Sequence, residues 1–357
     1  MSRSDILKEP IEMRRHQQIR RSKSNLVKNS LKSLNLTPKK IKSQLDECIV
    51  GQEAAKKSLS VVFYGHYQSA KQKIHGYKSN ILLMGPSGVG KTYLVCHTAK
   101  ILHLPFVNID ATGLTEAGYS GDDVENILYR LLETANYDIH LAEHGIVLID
   151  EFDKLSRPVN LMHRDVSGEG VQQALLKLLE GRVFSLQNKR NRHASDIVIN
   201  TKNILFICAG SFEKMKEKNK IIGLHNTKQL AISQNLINSG MITEIIGRLP
   251  IKIQMETLSL QDLKIALTEI KNCVLDEYKN FFRMHNTELQ ITDKAKDFIA
   301  EMAIQYKTGF RALKSIVDDI LLEYMYDLKC KKYAQILLID VHNDCFIGKY
   351  ILKKQPK

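Results

Sequence analysis

From about residue 44 the chain alternates short, wholly apolar runs with longer stretches in which apolar residues recur every three or four positions. The runs ILLM (81–84), FVNI (106–109), IVLI (146–149) and ILFIC (204–208) lack polar alternation, the pattern of strands buried on both faces of a parallel sheet. Amphipathic helical segments separate them, as βαβ units require. Val124, Ile127, Leu128, Leu131 and Leu132 mark one helix, with Asp122 or Asp123 placed to cap it. The texture changes after GRLPIKI (247–253). Ser259 is placed to cap a helix running to about residue 283; two more helices and short strands around ELQI and QILLI follow. The pattern predicts an α/β chain: a basic tail over 1–43, a large domain with a parallel sheet over 44–255, and a smaller α+β domain over 256–357.

Composition narrows the class. A chain of 357 residues, 43% of them hydrophobic, can bury a substantial core, and its length fits two domains. No apolar run approaches the roughly 20 residues of a membrane helix, and the N-terminus lacks the apolar centre of a secretory signal, so the chain is expected to stay inside the cell. The six cysteines are scattered without a CxxC pair and indicate neither a zinc site nor a disulfide framework. The net charge of +13 is concentrated early: Arg14, Arg15, Arg20, Arg21, Lys23, Lys28, Lys32, Lys39, Lys40 and Lys42 crowd a stretch poor in apolar residues. Three readings fit that stretch: a solvated tail, a contact with nucleic acid or membrane, or a targeting peptide, against which Asp5, Glu9 and Glu12 count. No motif of a nucleic-acid-binding fold accompanies it.

The strongest chemical signal is GPSGVGKT, Gly85, Pro86, Ser87, Gly88, Val89, Gly90, Lys91 and Thr92, standing between a predicted strand and a predicted helix that opens with Tyr93. In this context the backbone N–H groups cradle a β-phosphate, Lys91 neutralises β- and γ-oxygens, and Thr92 offers a hydroxyl to Mg²⁺. The cofactors indicated are ATP and Mg²⁺. About 60 residues later, GIVLIDEFDK delivers Asp150 and Glu151 at a strand's carboxyl end, where open α/β sheets bind ligands. Asp150 suits the metal, and Glu151 suits polarisation of the attacking water. Hydrolysis also needs charge stabilisation on the transferring phosphoryl group, which an arginine from a neighbour commonly supplies. Arg248 in IIGRLP is the candidate to come from a neighbouring subunit, and Arg311 in TGFRALKSIV the candidate from the small domain. Ile49 and Val50, before the turn at Gly51, suit either the face of an adenine or ordinary core packing. One aromatic, Tyr119 in AGYSGDD, sits between Gly118 and Gly121, where a mobile tip is expected rather than a core position.

In this order the motifs resemble one family, the ClpX unfoldases of the AAA+ ATPases. LTEAGYSGDDVENIL, RDVSGEGVQQALLKLLEG, ILFICAG, IIGRLP and LLEYMYDL carry the resemblance, which covers nearly everything after about residue 36. It implies an AAA+ P-loop NTPase large domain with a parallel sheet plus a smaller α+β domain. It also implies an ATPase that works as a homo-hexamer with ATP between subunits, threads protein substrates through a central pore, and delivers them to the ClpP peptidase. By the same resemblance Tyr119 is the aromatic of the first pore loop, with Ser120 in place of the usual Val, and Arg164 belongs to a second pore loop. Ile222, Gly223 and Leu224 stand where the family carries an Ile-Gly-Phe-like tripeptide that docks on ClpP, in a segment that reads as shortened. A solvent loop, or a remodelling chaperone that works without a peptidase, is the alternative. NKRNRHAS keeps Arg192 and His193 of the pore-entrance loop but not its Arg-Lys-His. No cysteine precedes Cys48, so the zinc-binding domain with which family members begin is not expected, and neither is zinc. Nucleic acid and membrane are not expected partners. The resemblance implies a cytoplasmic chain, with the mitochondrial matrix as alternative.

Two competitors are weaker. The related HslU unfoldase carries an inserted domain for which the roughly thirty residues between Tyr119 and Asp150 leave no room. An ATP-dependent switch or nucleic-acid clamp handler is disfavoured by Glu151 and by Tyr119 in its glycine loop.

Overall fold

The computed structural model describes residues 35–72, 79–115, 122–156, 166–187, 195–212, 225–271, 273–328 and 335–352. These form two compact units. The first holds the described residues up to Lys42, Ala55–Gly85 and the described residues of Lys91–Gln254; the second holds Ser43–Ala54, Pro86–Gly90 and the described residues from Met255 on.

The first unit is built on a five-stranded parallel sheet ordered Phe106–Asp110, Ile146–Asp150, Leu205–Gly210, Ile81–Met84, Ile251–Gln254. The expected apolar runs are its strands. Every residue of Ile81–Met84 and Leu205–Gly210 is buried, as a parallel sheet covered on both faces demands. Because all five strands run the same way, their carboxyl ends gather on one edge. Asp110 stands beside Asp150 in register, and Met84 beside Gly210. The helix Glu53–Gln72 buries Leu59, Phe63 and Tyr67 on one face.

Folded structure begins earlier than the expected tail allows. The helix Pro38–Asp46 starts within 1–43, and Leu36, Ile41 and Leu45 are buried. Spacing of four between the last two places both on one helical stripe. A second correction concerns Asp122 and Asp123. They form a short strand paired with Leu114–Thr115, and the helix that follows runs Asn126–Thr134 from Glu125 with no side-chain cap. Its apolar face is as expected: Val124, Ile127, Leu128, Leu131 and Leu132 are all buried.

In the second unit the helix foreseen to residue 283 is two. Ser259 does cap the first, Leu260–Thr268, in a reciprocal box with Asp262: the Ser259 hydroxyl accepts from the Asp262 N–H at 3.1 Å, and the Ser259 N–H donates to the carboxylate at 2.8 Å. The chain then leaves the helical path, and the Lys271 N–H bonds to the Glu47 carbonyl at 2.9 Å. A second helix, Val274–Met284, starts afresh, so that Leu263 and Leu267 of the first and Leu275 and Phe282 of the second meet one core. The helices Asp293–Gln305 and Phe310–Tyr326 complete it with a three-stranded sheet. In that sheet Gln335–His342 lies between a parallel Thr287–Ile291 and an antiparallel Cys345–Leu352.

Candidate nucleotide site

The strand Ile81–Met84 runs into the glycine-rich loop, and the helix Lys91–Leu102 leaves it. Gly85 is anchored by its N–H to the Gly210 carbonyl at 3.2 Å, which ties the loop's first residue to the end of the adjacent strand. The Lys91 ammonium donates to the Gly85 carbonyl at 2.7 Å, so the cation is folded over its own loop. The Thr92 hydroxyl donates to Asp150 Oδ2. Thus the two oxygens expected to share a metal already converge, although 58 residues separate them in sequence. Hydroxyl and carboxylate are the oxygen donors a small hard cation prefers, so these residues fit Mg²⁺. Among the described residues no group of three or more His, Cys, Asp or Glu is placed to hold a metal.

Glu151 follows Asp150 in the left-handed region, φ 53° and ψ 31°, its N–H bonded to Asp150 Oδ1 at 2.9 Å. A non-glycine residue there is strained and persists only where its surroundings impose it. The surroundings are visible: the next turn, Phe152–Leu155, is pinned because Asp153 accepts from both the Ser211 N–H at 3.0 Å and the Ser211 hydroxyl at 2.8 Å. The sequence reading missed this clamp; the acidic residue two after Glu151 was its only trace. On the loop's own helix, burial pushes the Cys96 thiol up, with Lys100 opposing and Asp150 adding. Tyr93 is exposed and its ring lies 4.2 Å from that of His97.

Pro86–Gly90 belong to the second unit. The Gly88 carbonyl accepts from the Phe310 N–H at 3.0 Å, at the start of the helix that bears Arg311. Gly88 has φ +74° and Gly309 φ +57°; a Cβ on Gly88 would stand 1.8 Å from the Thr308 carbonyl oxygen, and one on Gly309 2.5 Å from the Gly88 oxygen. Only glycines permit so close an approach. Arg311 is exposed in the first turn of its helix. Ile49 and Val50 are buried, Val50 within the apolar core alongside Leu263 and Leu267; for Val50 packing alone accounts for the burial.

Arg248 ends the helix Thr243–Arg248, about half exposed, with its guanidinium 3.5 Å from Glu180. Tyr119, Arg164 and the Ile222, Gly223, Leu224 tripeptide lie outside the described residues, as do Arg192 and His193. No described helix is long and apolar enough to cross a membrane.

Comparison with known proteins extends this picture. Residues 77–252 match the family model described as AAA domain (Cdc48 subfamily), and residues 263–334 match the C-terminal, D2-small domain of ClpB protein. The chain is 42% identical to the ATP-dependent Clp protease ATP-binding subunit ClpX of Bacteroides thetaiotaomicron, over 89% of this chain and 84% of the relative. It is 41% identical to the ClpX of Porphyromonas gingivalis, over 87% and 82%, and 42% identical to that of Bacteroides fragilis, over 82% and 77%.

Proposed function

This chain belongs to the ClpX family of AAA+ ATPases, and from that premise we propose that it is an ATP-dependent protein unfoldase that threads substrate proteins through a hexameric pore. The observation that carries the proposal is the convergence of Thr92 and Asp150, with the Lys91 ammonium turned onto the loop beside them. In that reading Lys91 would turn from the Gly85 carbonyl to phosphate oxygens, and Thr92 and Asp150 would hold Mg²⁺, which would supply neutralisation of phosphate charge when bound. Glu151, fixed in its strained turn, accepts a proton from the attacking water. Arg248 comes from the next subunit to the transferring phosphoryl group, a contribution of about 10³ to 10⁵ in rate. Arg311 is the residue that would sense the state of the nucleotide.

Tyr119 would then press a large amphipathic ring on the threaded chain, a grip that needs no matched hydrogen bond. Arg164 would line the pore below it. Ile222, Gly223 and Leu224 would dock on ClpP, the relatives' names pointing to a Clp protease. Their bacterial sources support a cytoplasmic location over a mitochondrial one.

The decisive variant is Glu151→Gln. It should bind ATP as the wild type does yet lose turnover; normal turnover would remove Glu151 from its role. Degradation of a tagged folded protein by this chain with ClpP from the same source, lost on deleting residues 222–224, is the outcome expected for the peptidase partnership. Unfolding without degradation would instead mark a remodelling chaperone.

A further inference from the structure

A six-residue helix does not hold its own position in water; tertiary contacts must fix it. That applies to Thr243–Arg248. Its start is set by Gln172, which is wholly buried in the helix Val166–Leu179. The Gln172 amide oxygen accepts from the Ile242 N–H at 2.9 Å, immediately before the arginine's helix. Its amide nitrogen donates to the Leu155 carbonyl at 2.8 Å and lies 3.4 Å from that of Gly240. Leu155 closes the turn that begins after Glu151. Gly168, a turn earlier on the Gln172 helix, lets the same carbonyl approach so closely that a Cβ there would stand 3.1 Å from it. At the other end, the Arg248 backbone carbonyl accepts from the Asn80 amide at 3.1 Å, while its guanidinium meets Glu180, one residue past the Gln172 helix. Glu180 also holds Arg182 at 2.6 Å.

We propose that Gln172 and Glu180 are positioning residues for Arg248, and that through Gln172 the arginine each subunit offers its neighbour is tied to that subunit's own Glu151 turn. A buried amide with both ends satisfied specifies one arrangement, because moving either partner strands a polar group away from water. A change in the Glu151 turn as phosphate leaves one site therefore reaches the Leu155 carbonyl, the Gln172 amide and the start of the arginine's helix in succession. Coupling of this kind is reciprocal between the two sites. Glu180 acts on the side chain alone: it keeps the half-exposed guanidinium from sampling its many rotamers, without burying it. The proposal rests on the reading of Arg248 as the residue supplied between subunits.

The test uses the full chain and steady-state ATP hydrolysis over a range of ATP concentrations, with circular dichroism and particle mass confirming fold and assembly. R248A sets the baseline and should remove most turnover. E180Q should lower kcat roughly twofold to thirtyfold with KM nearly unchanged, the span of known coupling-site variants, and should add no further loss in the R248A background. R182A, which leaves Glu180 to Arg248 alone, should not reproduce that loss. Q172M, near in size but without the three hydrogen bonds, should lower kcat and bring the Hill coefficient for ATP toward unity. The proposal is overturned if R248A loses turnover while folded E180Q keeps the wild-type kcat, or if the E180Q and R248A effects simply multiply. Wild-type turnover in R248A would instead overturn the reading of Arg248 itself. A wild-type kcat and Hill coefficient in folded Q172M overturns the link through Gln172; should Q172M fail to fold, Q172N, whose shorter amide cannot span Leu155 and Ile242 together, takes its place under the same criterion.

Discussion

His97 lies one turn past Tyr93 on the helix that follows the phosphate loop, with its ring tilted against the tyrosine's. Burial holds its pKa below the ordinary histidine value, Lys100 lowers it further, and the Tyr93 backbone works the other way. The native state therefore keeps His97 neutral in a pH range where the unfolded chain has begun to protonate it. There the unfolded state binds more protons, so this contribution to stability is present above about pH 6.5 and is lost as pH falls toward the depressed native value. Urea unfolding at about pH 7.5 and about pH 5.5 should show a smaller acid penalty in His97→Gln than in the wild type. Equal penalties would exclude His97 as the group responsible. At this scale the placing of the candidate site was legible in part: Thr92 and Asp150, singled out by spacing and flanking strands, meet in the structure, and Lys91 turns back onto Gly85. The backbone conformation of Glu151 was not. Its left-handed backbone is imposed by Asp153 on Ser211, 58 residues away, and no local pattern encodes that distance.

The helices show where local signals suffice and where they fail. Ser259 with Asp262 is a start signal contained in four residues, and the structure realises it in full. Ser259→Ala should cost about 1 kcal/mol, the usual worth of such a cap, read as a lower denaturant midpoint of the second unit's helices. Ser259→Thr should recover most of it, because its hydroxyl both accepts from the Asp262 N–H and donates to the Asp262 carboxylate. No such signal marks where that helix ends. It ends at Thr268 with the Glu269 N–H still on the Ile265 carbonyl, and two residues on the Lys271 N–H takes the Glu47 carbonyl, a partner more than two hundred residues earlier. The same competition moved Asp122 and Asp123 from an expected cap into a strand pairing with Leu114 and Thr115. Gln172 and Glu180 escaped the sequence reading for a related reason: each partner they hold on the arginine's segment lies about seventy residues on. A polar residue on a helix reads as a solvated one until the fold buries it.

Taken whole, the chain carries an excess of positive charge that invites a second function. Its first 34 residues hold nine of the Lys and Arg side chains and only three acids, close to half of the net +13. Charge of that density attracts any polyanion without reading its sequence, and such binding falls steeply as salt rises because it is driven by counterion release. An ATPase that acts on nucleic acid would go further and convert the encounter into turnover. The phosphate loop, Asp150 and Glu151 lie in the part that matches AAA domains, apart in sequence from this basic stretch, and function is argued from the site rather than from the net charge. Duplex DNA should therefore be retained by the chain at about 50 mM salt and released by about 200 mM, with ATP hydrolysis unchanged throughout. An unfolded protein should raise hydrolysis in the full chain and equally in a chain lacking residues 1–34, whose DNA retention is gone. Stimulation by DNA that disappears with those residues, with no response to unfolded protein, would move the chain from protein unfolding to nucleic-acid handling.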